Sequence, residues 1–174
     1  MNSKVVQIRQ ATGNDLDAIV EVGRRTWPAT YGSIYSDDLV QLFLDKWWTA
    51  EANVPAIRAG RTFVAEVDGT VVGMASYGPH EGRTVIWKLY VLPDYQGQQL
   101  GSWLIQRVLD EIGWSSSAVR MSLSDGNAAA YDFAISHGFV EESREPQGRL
   151  PAIIWMVRDL STHGPRASGP GPAQ

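Results

Sequence analysis

The residues of this chain best placed to do chemistry are a run of backbone amides, not a set of reactive side chains. Gln96-Gly97-Gln98-Gln99-Leu100-Gly101-Ser102 follows a continuous apolar run, Val85-Ile86-Trp87-Lys88-Leu89-Tyr90-Val91-Leu92. It precedes Leu104, Ile105, Val108, Leu109 and Ile112 at helical spacing. That order is strand, glycine-containing turn, helix. Such a turn aims N–H groups and the positive end of a helix dipole at one point, which suits a phosphate. In the plainer reading, Gly97 only makes the turn and Gly101 only lets the helix pack close to the strand. The Walker pattern is absent, because Gly97 and Gly101 are too close and no lysine follows. The dinucleotide fingerprint G-x-G-x-x-G is absent as well, so triphosphatase and nicotinamide readings lose their main support.

Two other groups of residues invite chemistry. Trp27, Tyr31, Tyr35, Phe43, Trp47 and Trp48 crowd a short span. Such rings either fill core or line a pocket for an amine or an apolar acceptor, since an aromatic face can hold a cation. His80-Glu81 suggests a metal or an acid–base pair, but a solvated loop tip between Gly78 and Gly82 is the better reading. His137 and His163 lie far away in sequence, and no metal-ligand spacing emerges.

The totals narrow the class. A length of 174 residues suits one domain with a substantial core. Hydrophobic residues at 44% and charged residues at 20% argue against wholesale disorder. A net charge of -4 supplies no basic field to attract nucleic acid or an anionic membrane. The absence of cysteine excludes disulfides, thiolate metal sites and a cysteine nucleophile, and fits a reducing compartment. No stretch has signal-peptide or membrane-spanning character, which leads to a cytoplasmic expectation.

The elements that would position these residues alternate between strand and helix. Val5 to Gln10 is a first strand, and Asn14 and Asp15 can cap a helix carrying Leu16, Ile19, Val20 and Val22, with Pro28 and Gly32 at its end. Ser36 caps a second helix through Trp47 and Trp48. Thr62 to Val67 and Val71 to Tyr77 form a hairpin about Asp68-Gly69. Val119 to Leu123 is a short strand. Asn127 caps a helix that Gly138 closes, and strands follow from Phe139 and from Leu150 to Val157. Residues 161–174 are rich in glycine and proline and are expected to form a mobile tail on a single domain spanning 1–160.

The central stretch resembles the pyrophosphate loop of the GCN5-related N-acetyltransferase (GNAT) family, Q/R-x-x-G-x-G/A after an apolar strand ending before proline. Gln96 and Gly101 match it, while Gln99 stands where the family usually has glycine. A second family segment, N-x-x-A-x-x-F-Y followed by G-F, is matched by Asn127, Ala130, Phe133, Gly138 and Phe139. The resemblance implies an α/β (α+β) fold, with a mixed, mostly antiparallel twisted sheet flanked by helices and a splayed central strand pair. It also implies acetyl-CoA as acyl donor and no metal. The backbone of Leu89, Tyr90 and Val91 would meet the pantetheine and thioester. The loop from Gln96 to Ser102 would surround the pyrophosphate, which the amides of Gly97, Gln98, Gln99, Leu100, Gly101 and Ser102 would meet. Asn127 would lie near the pantetheine, with Tyr131 packed against it. Trp27, Tyr31 and Tyr35 would fall in the acceptor wall.

The usual acid–base pair of the family is missing. Val85 stands at the position of the common glutamate base and Ala134 at that of the tyrosine acid, so the catalytic residues stay unassigned. Neither loss is fatal, since acid–base help is worth ~10²–10⁴-fold per group and positioning can supply up to ~7–11 kcal/mol. Tyr131, one turn before Ala134, could substitute as acid, but packing on the cofactor is its expected use. Gln99 costs little if its φ is negative. The expected activity is acetyl transfer to a primary amine of a small molecule or peptide. The alternative is a non-catalytic acyl-CoA-binding or regulatory module. A homodimer is compatible with either.

Overall fold

Turn chemistry and strand alternation set the first half of the sheet. In the computed structural model, which describes residues 3–161, β1 (Val6–Gln10), β2 (Thr62–Val67), β3 (Thr70–His80) and β4 (Arg83–Val91) are antiparallel neighbours in that order. Asp68 and Gly69, at φ 50° and 82°, turn β2 into β3, and Glu81 and Gly82, at φ 50° and 75°, turn β3 into β4. Left-handed backbone at both central residues matches the twist of the strands. This second turn is tighter than the sequence indicated, because Gly78, Pro79 and His80 are strand residues paired with Val85, Thr84 and Arg83. Proline is tolerated there because β2 pairs with β3 only as far as Ser76, so Pro79 has no ladder bond to donate on that side.

The second half of the sheet contributes β5 (Ala118–Ser124), β6 (Val140–Gln147) and β7 (Leu150–Asp159), giving the order β1-β2-β3-β4-β5-β7-β6. All neighbours are antiparallel except β4 and β5, which pair in parallel only at Val85↔Arg120 and Ile86↔Met121. The next residue, Trp87, is an extra one on β4: Tyr77 pairs with Ile86 and Ser76 with Lys88. A bulge bends its strand and increases the local twist. From Trp87 onward β4 therefore leaves β5, which produces the expected splayed pair.

The described residues form five helices, α1 (Leu16–Tyr31), α2 (Asp37–Trp47), α3 (Ala50–Arg58), α4 (Leu100–Ile112) and α5 (Ala128–Ser136), with α2 packed on α1 and α3. Unbroken burial along Thr62–Ala65 and Val72–Ser76 means that helices cover both faces there. Leu100, Leu104, Ile105, Val108, Leu109 and Ile112 form the buried stripe of α4. Helix α1 carries Pro28 in its last turn and ends at Tyr31, where Gly32 N–H closes on the Pro28 carbonyl at 3.0 Å, as the Pro28 and Gly32 signals indicated. Helix α3 has no counterpart in the sequence reading. Trp48, just past α2, is fully buried, and its ring lies flat on Gly23 of α1, where an added Cβ would sit 1.9 Å from Cδ2. The stretch expected to form a mobile tail lies outside the described residues apart from Ser161.

Asp15 does not cap α1 with its side chain. The carboxylate turns back to the Thr12 N–H at 2.8 Å and to Arg9 Nη1 and Nη2 at 2.8 and 2.9 Å, while Arg9 Nη2 also reaches Glu66 at 2.7 Å. Hydrogen bonds from Arg9 hold the Asp15 carboxyl below the usual carboxylate range. A depressed pKa contributes stability that is present above the unfolded value, near ~3.9, and is lost as pH falls through the lower folded value. Asp15→Asn is expected to cost about 2 kcal/mol at pH 7. Denaturant titrations should show that deficit shrinking below pH ~4.

Candidate active site

The strand split leaves backbone groups facing a gap. Leu92 N–H donates to the Val72 carbonyl at 2.8 Å, on the β3 side. Alternation along the strand then turns the N–H and C=O groups of Leu89 and Val91 away from β3, toward the space that β5 has vacated. Gln96 Nε2 donates to the Val91 carbonyl at 3.0 Å, pinning the following loop to the strand end. A cleft of about 290 Å³ opens here. Leu89, Tyr90, Val91, Gln96, Gly101 and Asn127, all expected cofactor contacts, line it together with Phe133.

The loop after β4 presents a set of unpaired amides, an arrangement that can hold an anion. None of the amides from Gly97 to Ser102 donates a hydrogen bond within the described residues, and the first bond of α4 runs from Trp103 N–H to the Gln99 carbonyl. Gly97, at φ 77°, supplies the left-handed turn. Gln99 corrects the sequence reading, since its φ is 66° and not negative. A side chain in that region costs roughly 1–2 kcal/mol, partly recovered by the stiffer unfolded chain. Gln99→Gly should therefore raise the unfolding free energy by about 0.5–1 kcal/mol, measured by chemical denaturation. Leu100 gives the site only its amide, because its side chain is buried in the core. Ser102 Oγ lies 3.0 Å from His137 Nε2, and burial pulls the His137 pKa down, favouring the neutral ring.

Asn127 does two things. Its Oδ1 accepts from Ala130 N–H at 3.3 Å, capping α5, and the residue faces the cleft. Tyr131 departs from its expected place. Its hydroxyl donates to Glu141 at 3.0 Å, and it is absent from the residues lining the cleft. The exposed carboxylate of β6 draws it to the outer side of α5.

A second cavity, of about 510 Å³, adjoins the cleft, and the two share Tyr31, Trp87, Lys88, Tyr90, Ser122 and Leu123. Trp27, Tyr31 and Tyr35, the expected acceptor residues, all line this cavity. Their rings interlock: Trp27 and Tyr31 lie 4.2 Å apart between centroids, and Tyr31 and Tyr35 5.9 Å. The Tyr31 and Tyr90 hydroxyls are 3.5 Å apart, and burial pushes both pKa values up, so both stay protonated at neutral pH.

The sequence reading missed Lys88 at the junction of cleft and cavity. Its Nζ donates to the Trp47 carbonyl at 2.8 Å and to Asn53 Oδ1 at 2.7 Å, and sits 4.3 Å from the Trp48 ring centroid. Asn53 is itself buried and anchored through Nδ2 to the Thr49 carbonyl at 2.7 Å. Burial brings the Lys88 pKa down to about 8. A lysine inside an apolar run carried no signal of this role, and neither did the helix that holds Asn53.

The profile of the Acetyltransferase (GNAT) family matches residues 16–139, most of the chain. The chain belongs to that family. A spermidine N(1)-acetyltransferase of Thermoplasma acidophilum is 22% identical over 149 residues, covering 80% of this chain and 91% of the relative. The crystal structure of PaiA N-acetyltransferase from Thermoplasma acidophilum with coenzyme A superposes with a TM-score of 0.78, at 21% identity over 89% of this chain and 99% of that one. The structure of yncA from Salmonella typhimurium with acetyl-CoA does so at 0.67, with 26% identity over 94% and 99% of the two chains. In this GNAT member, Val85 and Ala134 are 1% and 0% exposed. The two positions where the resemblance would place a base and an acid are therefore apolar core in this chain.

Proposed function

We propose that this acetyltransferase, over residues 1–160, moves an acetyl group from acetyl-CoA directly to a primary amine of a small molecule or peptide. The observation that carries the reading is the meeting of cleft and aromatic cavity at Tyr31, Lys88 and Tyr90. One side offers unpaired amides for a pyrophosphate and open strand backbone for an amide-bearing arm, and the other offers rings for an acceptor. Acetyl-CoA supplies the acetyl group as a thioester. The residues fit it: amides 97–102 would hold the phosphates, Leu89 and Val91 the pantetheine, and Asn127 a second polar contact.

The chain's own groups then divide the work. The Val91 N–H, turned into the gap, is the donor for a developing oxyanion. Tyr31, protonated and present in both cavities, donates a hydrogen bond to the departing thiolate, a role that buried Ala134 cannot fill. The surrounding rings keep water out. Tyr31→Phe should lower kcat roughly 10-fold, the worth of one hydrogen bond to a charged group, with acetyl-CoA affinity unchanged. A cytoplasmic location goes with an acyl-CoA donor. The test of the function is amine-dependent thiol release from acetyl-CoA across a panel of primary amines. Release no faster than hydrolysis alone would sink the proposal.

A further inference from the structure

The acceptor cavity is electrically one-sided. Its walls are aromatic rings with a few neutral polar groups, and its only ionisable side chains besides tyrosines are Lys46 and Lys88. No carboxylate lines it. Glu145, which accepts from Trp155 Nε1 at 3.2 Å, is exposed and does not reach the lining. Lys88 forms no ion pair among the described residues. Its two hydrogen bonds go to neutral oxygens, which leaves one of three N–H donors unassigned. Two residues of the same wall, Trp27 and Trp48, also hold buried indole N–H donors without a partner. Holding an ammonium away from water beside neutral groups is costly, and an anion arriving with the ligand would offset that cost.

We propose that the acceptor is an amine bearing a carboxylate close to its nitrogen and an aromatic or large apolar body, and that Lys88 recognises the carboxylate. Position decides how close. Lys88 lines both the cleft and the cavity, so a carboxylate on its Nζ lies beside the nitrogen that must reach the donor. An α-amino acid places its two charged groups that way, and a peptide N-terminus does not. A polyamine brings further positive charge to a wall that already holds two lysines, and like charges disfavour it. The apolar body lies against Trp27, Phe43 and Trp155, where ring burial contributes most. This inference rests on the acetyltransferase reading and narrows its acceptor.

The test compares acceptors that differ by one carboxylate: phenylalanine with phenethylamine, tryptophan with tryptamine, and spermidine as the polycation. The wild-type protein should favour the carboxylated member of each pair by about 30-fold or more in kcat/KM, the discrimination expected of a site built around one polar group. Lys88→Met keeps the alkyl stem and removes the charge, and should bring that ratio to within about 3-fold. Lys88→Arg should restore part of it. A titration by tryptophan fluorescence in the presence of coenzyme A needs no turnover. Phenylalanine should bind more tightly than phenethylamine, and Lys88→Met should erase the difference. Equal or better use of phenethylamine or spermidine by the wild type overturns the proposal, and so does an equal loss for both members of a pair in Lys88→Met. If no amine is acetylated but the charge-dependent binding persists, the activity reading fails and the recognition by Lys88 stands.

Discussion

Gly101→Glu should lower acetyl-CoA affinity by ~100-fold or more. Gly101 is the second residue of α4, its amide belongs to the unpaired set, and it lines the cleft. A Cβ there would lie 3.5 Å from Phe133 Cε2, an ordinary contact, so Gly101→Ala should be mild. The rest of a glutamate has to extend into the space beside the first-turn amides. A carboxylate about 5 Å from a phosphate charge repels it by roughly 3 kcal/mol at an effective dielectric near 20. That repulsion alone gives a factor of ~100. Gly101→Gln separates bulk from charge and should fall between the two. Isothermal calorimetry with acetyl-CoA reads all three, and an unchanged Kd for the glutamate variant would remove the loop from the cofactor site.

The second large effect is on the scaffold. Gly23→Ala should destabilise the protein by about 3 kcal/mol, at the upper end of overpacking costs, and lower Tm by ~6–12 °C. An alanine methyl would overlap three atoms of the Trp48 ring, at 1.9, 2.0 and 2.4 Å. That ring cannot retreat freely: it is fully buried, meets Tyr90 edge-on at 5.3 Å and supports Lys88 at 4.3 Å. Displacing it shifts both residues at the junction of the cleft and cavity. Thermal unfolding measures the cost, and acceptor KM should rise alongside it. A Tm within 2 °C of wild type would show that Trp48 does not rest on Gly23.

Much of the donor side was legible because its signals are local. The stripe from Leu100 to Ile112 is read from a 3.6-residue period, and Asn127 and Gly138 mark helix ends by their own chemistry. The acceptor side was legible only as a crowd of rings. Helix α3 buries only Asn53 and carries Pro55 inside, so no apolar period marks it even though Thr49 caps it and its alanines favour helix. Lys88 sits among apolar neighbours in a strand whose phase is reset at Trp87, and no pattern in the chain announces that extra residue. Tyr131 points away from the cleft because of Glu141, a partner ten residues on. The backbone of Gln99 is a similar case, since local preference favours negative φ and the loop imposes the opposite.

If the donor pairs with the open edge of β4, the parting of β4 from β5 would also tie the persistence of this enzyme to the metabolic state around it. Two ladder pairs hold the strands together before they diverge. The sheet is thus an open seam until another amide chain closes it. Leu89 and Val91 amides in the ligand-free protein should exchange their hydrogens with solvent far faster than those of β2 or β3, and slow down once the donor is bound. Whatever binds only the native state stabilises it, by ~2.7 kcal/mol at a hundredfold excess over Kd. A fall in the acyl-donor pool would then thin the population protected from proteolysis, so supply of the substrate helps to set how long the protein survives as well as how fast it works.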